Sequence, residues 1–272
     1  METELDAEFA RVTTHFGKDL IGFLAIGSRA KGEAVSRSDH DIRVVIQTDT
    51  PYVVFDDRQW SPPPAIDVRP VEWGPFGQNA MISFGFTNLG YIEKCLESNY
   101  FPLADHMALF QGRVVVDATG AISQFRHARN GIVFPNVVAD YIRQTEWRVT
   151  NRLKRELDPA SFYEKVDHNK QAIPALHTIC RITTDMAQID SYRATGQYLK
   201  DVGDVVRYYE MNWPAYYEQI NQAYRKKTNE LERRQLYERA VARNADVVDY
   251  VVDLAAKIEA LWREFRSRSQ GY

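Results

Sequence analysis

The chain has 272 residues, 44% of them hydrophobic and 26% charged, with a formal net charge of −3. That is enough apolar material for one large core or two modest ones, and the mildly acidic balance argues against a nucleic-acid polymer as substrate, because phosphate binding favours basic surfaces. Two cysteines, Cys95 and Cys180, make no disulfide framework or zinc cluster, and no apolar run approaches the ~20 residues of a membrane span.

Leu5, Phe9, Val12 and Phe16 recur at helical spacing and predict an opening helix. This opening segment is acidic and amphipathic, unlike a secretory signal, so a cytoplasmic location without a membrane partner is expected. Residues 20–26, apolar apart from Gly22 and ended by Gly27, predict a buried strand. Residues 41–47, rich in β-branched side chains, predict a second. Pro62, Pro63 and Pro64 forbid regular structure around them. Residues 65–71 and 113–117 read as a third and a fourth strand, the last closed by a turn near Gly120.

The character changes after Phe134. Pro135 suits a first helical turn, and Val138, Tyr141, Ile142, Thr145, Val149 and Leu153 continue at helical spacing. Asp158-Pro159 reads as a cap and first-turn proline, opening a helix through about Met186. Trp213-Pro214 opens another, and Val247, Val251, Leu254, Ile258, Leu261 and Phe265 trace the stripe of a long last helix. The expectation is therefore α+β: a small mixed β-sheet with helices over residues 1–133, then an all-α helical-bundle domain over residues 134–272.

The segment from Gly27 to Ile42, GSRAKGEAVSRSDHDI, carries the chemistry. Gly27 lets backbone approach a phosphate closely, and Ser28 offers a hydroxyl and an N–H where a short helix begins. Asp39 and Asp41 are two apart at a strand start, so they share a face and need a cation to be comfortable together. Hard carboxylate oxygens suit Mg²⁺ shared with substrate phosphates. Asp67, in the predicted third strand, can join them, and three carboxylates could hold two Mg²⁺ ions about 3.5–4 Å apart. Asp67 is also the candidate to accept a proton from an attacking hydroxyl. Each piece alone has a plain structural reading: a turn, a capping pair, a strand-end charge. Their combination in this order favours catalysis.

Gly27-Ser28, then Ser38-Asp39 and Asp41, then the later Asp67, resembles the DNA polymerase β-like nucleotidyltransferase superfamily. There the Gly-Ser turn holds triphosphate and the carboxylates hold Mg²⁺. In the second half, Cys180-Arg181-Ile182, Thr195-Gly196, Lys200-Asp201-Val202 and Gln222-Ala223-Tyr224 are similar to the helical domain of streptomycin/spectinomycin adenylyltransferases. The resemblance implies a catalytic nucleotidyltransferase domain and a helical domain that completes the nucleotide and acceptor site in the cleft between them. It implies ATP as donor, Arg181 and Lys200 on the triphosphate, and Tyr224 against the nucleotide. Asp167 matches one acid that holds the cationic drug in those enzymes, whereas the place of a second is taken by Gln171. Phe86 is the nearest counterpart of an acceptor-loop tryptophan.

The bland readings are that Arg181 and Lys200 are solvated or ion-paired, that Tyr224 packs a helical core, and that Asp167 pairs with Lys165 or Lys170. The basic run Arg148, Arg152, Lys154 and Arg155 reads as a solvated helix face, or as an electrostatic rim that attracts nucleotide. His106, His127, His168 and His177 lack metal spacing and read as structural. The function expected is Mg²⁺-dependent transfer of AMP from ATP to a hydroxyl of a small acceptor, an aminoglycoside-like antibiotic being favoured. Two alternatives stand beside it: AMP transfer to a protein, as in toxin–antitoxin pairs, and a catalytically silent nucleotide-binding module.

Overall fold

The computed structural model describes residues 2–30, 40–48, 52–53, 69–70, 82–168 and 172–269. The chain divides into two compact units: residues 1–140 with Tyr192–Tyr198, and Tyr141–Ser191 with Leu199–Tyr272.

The first unit opens with α1 (Glu2–Phe16) and a single 3₁₀ turn, followed by β1 (Leu20–Ile26), α2 (Gly27–Ala30) and β2 (His40–Ile46). Then come β3 (Tyr52–Val53), β4 (Arg69–Pro70), β5 (Ile82–Asn88), α3 (Leu89–Glu97), α4 (Leu103–Gln111), β6 (Arg113–Asp117) and α5 (Ala121–Arg129). The main sheet is four-stranded and mixed, in the order β5-β2-β1-β6. β1 runs antiparallel to β2 and β6, while β2 and β5 are parallel.

Strand alternation sorts the sheet into two faces. Ile42, Val44 and Ile46 join Phe23, Ala25, Ile82, Phe84 and Phe86 in one apolar cluster that packs against Val12 and Phe16 of α1. The rings of Phe9 and Phe23 stack at 4.4 Å, and those of Phe16 and Phe86 lie 5.5 Å apart. The opening helix therefore forms at the predicted place, because its stripe of Leu5, Phe9, Val12 and Phe16 has this face to cover. Asp41, Arg43 and Val45 alternate onto the other face.

Two strand expectations change. The stretch read as a third strand at 65–71 is described only at Arg69–Pro70, which pairs in parallel with Tyr52–Val53 in a separate two-stranded sheet. The strands beside β2 are β1 and β5, the second of which has a weak pattern in the sequence. Its period-2 pattern, Ile82, Phe84 and Phe86 against Ser83, Gly85 and Thr87, is weakened by the small residues on its second face.

His106 of α4 anchors the returning segment Tyr192–Tyr198 to the first unit. It lies among Phe101, Phe110 and Phe134, with Nδ1 2.9 Å from the Tyr198 hydroxyl and Nε2 3.1 Å from that of Tyr192. The Tyr192 hydroxyl donates to the Ile132 carbonyl and accepts from the Phe134 N–H. Burial lowers the pKa of His106 from 6.5 to about 3 and keeps the ring neutral. The unfolded chain protonates this histidine below its ordinary pKa while the folded chain does not until about pH 3. Stability should thus fall as pH drops through that window, by up to about 1.4 kcal/mol per pH unit. Urea titrations of wild type and His106→Gln between pH 7 and pH 4 read this directly: wild type should lose stability more steeply. Equal slopes would mean the ring is hydrated in the folded protein.

The second unit is helical, and two of its helices, α6 and α9, extend into residues of the first. α6 (Pro135–Trp147) begins at the predicted proline, passes through a π-helical segment at Arg148–Leu153, and continues as α7 (Lys154–Leu157). α8 (Pro159–His168), α9 (Pro174–Thr195), α10 (Val202–Asn212), α11 (Pro214–Thr228), α12 (Glu230–Val241) and α13 (Ala245–Ser269) follow. The single helix expected from Asp158 to about Met186 is two, because Pro174 lacks an N–H and opens a helix of its own. Thr178 to Cys180 and Ile182 to Ile189 of α9 are all buried, so this helix is the centre of the unit. Among the described residues, no helix is long and apolar enough to cross a membrane.

Candidate nucleotide and metal site

In the first unit the structure brings Gly27 and Asp41 together. Ile26, the last residue of β1, pairs with Asp41 in β2, and the chain then turns at Gly27 with φ +69°. A Cβ on Gly27 would lie 2.1 Å from Oδ2 of Asp41. Glycine is required here twice over, by its left-handed backbone and by the carboxylate that occupies the space of the missing side chain. Ser28 follows within α2, and its side chain lies outside the described residues, as do Asp39 and Asp67.

On β5, Ser83 stands in register with Asp41 and is exposed. Asp41 is thus flanked by Ile26 on β1 and by the Ser83 hydroxyl residue on β5. Two positions further, Arg43 shares the face of Asp41. Its guanidinium donates from Nη1 to the Phe86 carbonyl at 3.1 Å and from Nη2 to the Ala104 carbonyl at 3.2 Å. A Cβ on Gly85 would meet Nη1 at 2.7 Å, which explains that glycine. The sequence signal of Arg43 is one basic residue within the apolar run Ile42 to Ile46. Phe86, expected as the counterpart of an acceptor-loop tryptophan, is buried in the cluster under α1.

In the second unit, Asp185 has no exposed side-chain surface and bridges two arginines. Arg148, at the start of the π-helical segment, pairs through Nη1 with Oδ2, and Arg181 lies with Nε 3.0 Å from Oδ1. Arg148 also donates to the Gln144 side chain at 3.0 Å. Burial works against the charge of Arg148 and Asp185 supports it, the net effect lowering its pKa. The basic run read as a solvated face is therefore partly internal: the Arg148 side chain is 13% exposed, and Arg152 pairs with the buried Glu156 at 2.9 Å. Helical periodicity turns Arg148 inward, and a π-helical widening, often found at functional sites, accommodates it.

Arg181 is half-buried, held by Asp185 one turn along α9. Lys200 is exposed, just before α10. Tyr224, expected against the nucleotide, is part of the helical core. It is 2% exposed, and its hydroxyl lies 2.8 Å from the Cys180 carbonyl and within 3.2 Å of the Thr183 and Thr184 hydroxyls. Its ring has no open face for a base; it braces the turn of α9 that carries Arg181. Asp167 is in α8, but its side chain lies outside the described residues, as does Gln171. Among the described residues, no group of three or more His, Cys, Asp and Glu side chains gathers into a metal site. The described donor, a carboxylate at a strand start beside a glycine turn, has the hard-oxygen chemistry that Mg²⁺ prefers.

No family model matches the chain, and no curated protein does. Among solved structures, it is similar to a spectinomycin adenyltransferase from Enterococcus faecialis, solved with ATP and spectinomycin. Identity is 12% over 94% of this chain and 99% of that one, with a TM-score of 0.45. It is also similar to a nucleotidyltransferase-like protein from Exiguobacterium sibiricum, with 12% identity over 93% of this chain and 78% of that one and a TM-score of 0.28.

Proposed function

We propose that this chain is a nucleotidyltransferase that moves AMP from ATP to a hydroxyl of a small acceptor. One observation carries the reading: the Asp41 carboxylate at the start of β2, packed against Gly27 where β1 ends in a left-handed turn. A carboxylate fixed beside a small-residue turn is what a metal-bound triphosphate needs, since the turn admits phosphate and the acid admits its cation.

Asp41, with Asp39 and Asp67, would hold Mg²⁺. When bound, Mg²⁺ neutralises triphosphate charge and favours the attacking oxygen as an alkoxide. Gly27 and Ser28 would cradle the phosphates, and Arg181 and Lys200 would balance charge that the metal leaves. Asp67 would take the proton from the acceptor hydroxyl as it attacks the α-phosphate in line, with pyrophosphate leaving. Asp167 suits a cationic acceptor, which favours an aminoglycoside-like compound. Gln171, in place of a second acid, argues for one less positively charged.

Calorimetry with a non-hydrolysable ATP analogue tests the donor. Binding to wild type should require Mg²⁺. A mass gain of one AMP on a hydroxylated aminoglycoside, with pyrophosphate released, then tests the acceptor. A gain on protein instead would favour protein AMPylation. Failure of every nucleoside triphosphate to bind, with acceptors present, would sink the proposal.

A further inference from the structure

We propose that Gln188 is a positioning residue for Lys200: its buried carboxamide fixes the main chain just before that lysine, so that the ammonium meets a triphosphate in concert with Arg181. The inference rests on the donor reading above and adds to it a residue that touches no substrate.

Gln188 lies in the fully packed stretch of α9 and is 2% exposed. Packing alone would favour leucine there, because a buried amide is costly unless both of its ends are bonded. Both are. Oε1 accepts from the Leu199 N–H at 2.7 Å, and Nε2 donates to the Leu199 carbonyl at 3.0 Å. One side chain thus holds both main-chain groups of a single residue, as a paired strand would. The next two residues are tied as well. The Lys200 N–H donates to Asp204 Oδ2 at 3.3 Å, and Asp201 caps α10 by accepting from the Asp204 N–H at 2.9 Å.

The backbone on either side of Lys200 is therefore fixed, while its side chain is exposed and, among the described residues, its ammonium makes no ion pair. On α9, Arg181, Asp185 and Gln188 stand at i, i+4 and i+7 and share one face. That face holds the Arg181 guanidinium through Asp185 and the Lys200 main chain through Gln188. Two cations on separate stretches of sequence are thereby referred to one helix before an anion arrives, Arg181 through its guanidinium and Lys200 through its main chain. Preorganisation of this kind raises affinity without a new contact, because less ordering remains to be done on binding.

A double-mutant cycle in the full chain distinguishes positioning from general support. Gln188→Leu keeps the volume and removes both hydrogen bonds. Lys200→Met keeps the stem and removes the charge. The readout is the Kd of the non-hydrolysable ATP analogue with Mg²⁺, beside the melting temperature of each variant. Lys200→Met should weaken binding about tenfold, the loss of one charge-assisted contact. Gln188→Leu should weaken it about fivefold in wild type and leave it unchanged in the Lys200→Met background, because coupled residues do not add. Should Gln188→Leu fail to fold, Gln188→Glu, which keeps the acceptor for the Leu199 N–H and loses the donor, enters the same cycle. An equal loss in both backgrounds, or no loss in wild type, overturns the proposal. If Lys200→Met binds as wild type does, the assignment of Lys200 to the donor fails first and the proposal with it; nucleotide binding by wild type would still stand as a separate result.

Discussion

Asp41→Asn should lower nucleotidyl transfer by more than about 10²-fold and leave the fold in place. The magnitude follows from metal-site chemistry: removing a mere hydrogen-bond partner of a metal ligand costs 10–100-fold, so neutralising a ligand should exceed about that range. Asparagine preserves the shape that lies over Gly27, where there is no room for a larger group. It removes the charge that a Mg²⁺–triphosphate complex needs. Turnover of ATP with acceptor, followed by pyrophosphate release, checks the first half; the melting temperature checks the second. A variant with near-wild-type rates would remove Asp41 from the metal site. A variant that does not fold would assign the carboxylate to the Gly27 turn rather than to chemistry.

Asp185→Ala should be the most destabilising single change in the helical unit, by about 3–5 kcal/mol, because it strands a buried guanidinium. Asp185 is wholly enclosed and pairs with Arg181 as well, and the Arg148 side chain is 13% exposed. The pair itself contributes less than its rupture costs, since each charge lost water on folding. The double variant Asp185→Leu, Arg148→Met should accordingly recover most of the loss, as apolar replacements of buried ion pairs commonly do. Thermal and urea unfolding of the three proteins measure this. A single-variant loss below about 1 kcal/mol would mean that the pair behaves as a surface bridge. The double variant also separates stability from binding: it should fold well yet bind nucleotide weakly, because Arg181 loses its anchor.

Much of this molecule was legible where local and tertiary preferences agree. The opening helix and the strands at 20–26, 41–47 and 113–117 form within one residue of where their patterns put them. Pro135 and Pro214 start helices because a missing N–H costs nothing in a first turn. The α+β order, sheet first and helices after, follows from the same periodicities. Pro174 obeys that rule too, and overlooking it fused two helices into one expectation.

Other features depend on partners that no local pattern reveals. β5 is recognisable through its pairing with β2, and Gly85 through the arginine that lies across it. Phe86 and Tyr224 are aromatic in sequence and nothing more; the sheet face under α1 and the packing of α11 against α9 make them core. Arg148 looked like one more charge on a helix until the fold enclosed it beside Asp185.

The sequence by itself determined the fold class and singled out the residues proposed to carry chemistry: the Gly27-Ser28 turn, the acids at 39, 41 and 67, and two cations in the helical half. Residue type and spacing specify a donor set and a face, because backbone periodicity is local. Only the tertiary structure decided the surroundings of the described groups. It set Asp41 against Gly27, withdrew Tyr224 and Phe86 into cores, and tied Arg181 and the main chain before Lys200 to one helix through Asp185 and Gln188. The physical reason is that burial and hydrogen-bond satisfaction are properties of surroundings, and for these residues the surroundings come from segments distant in sequence.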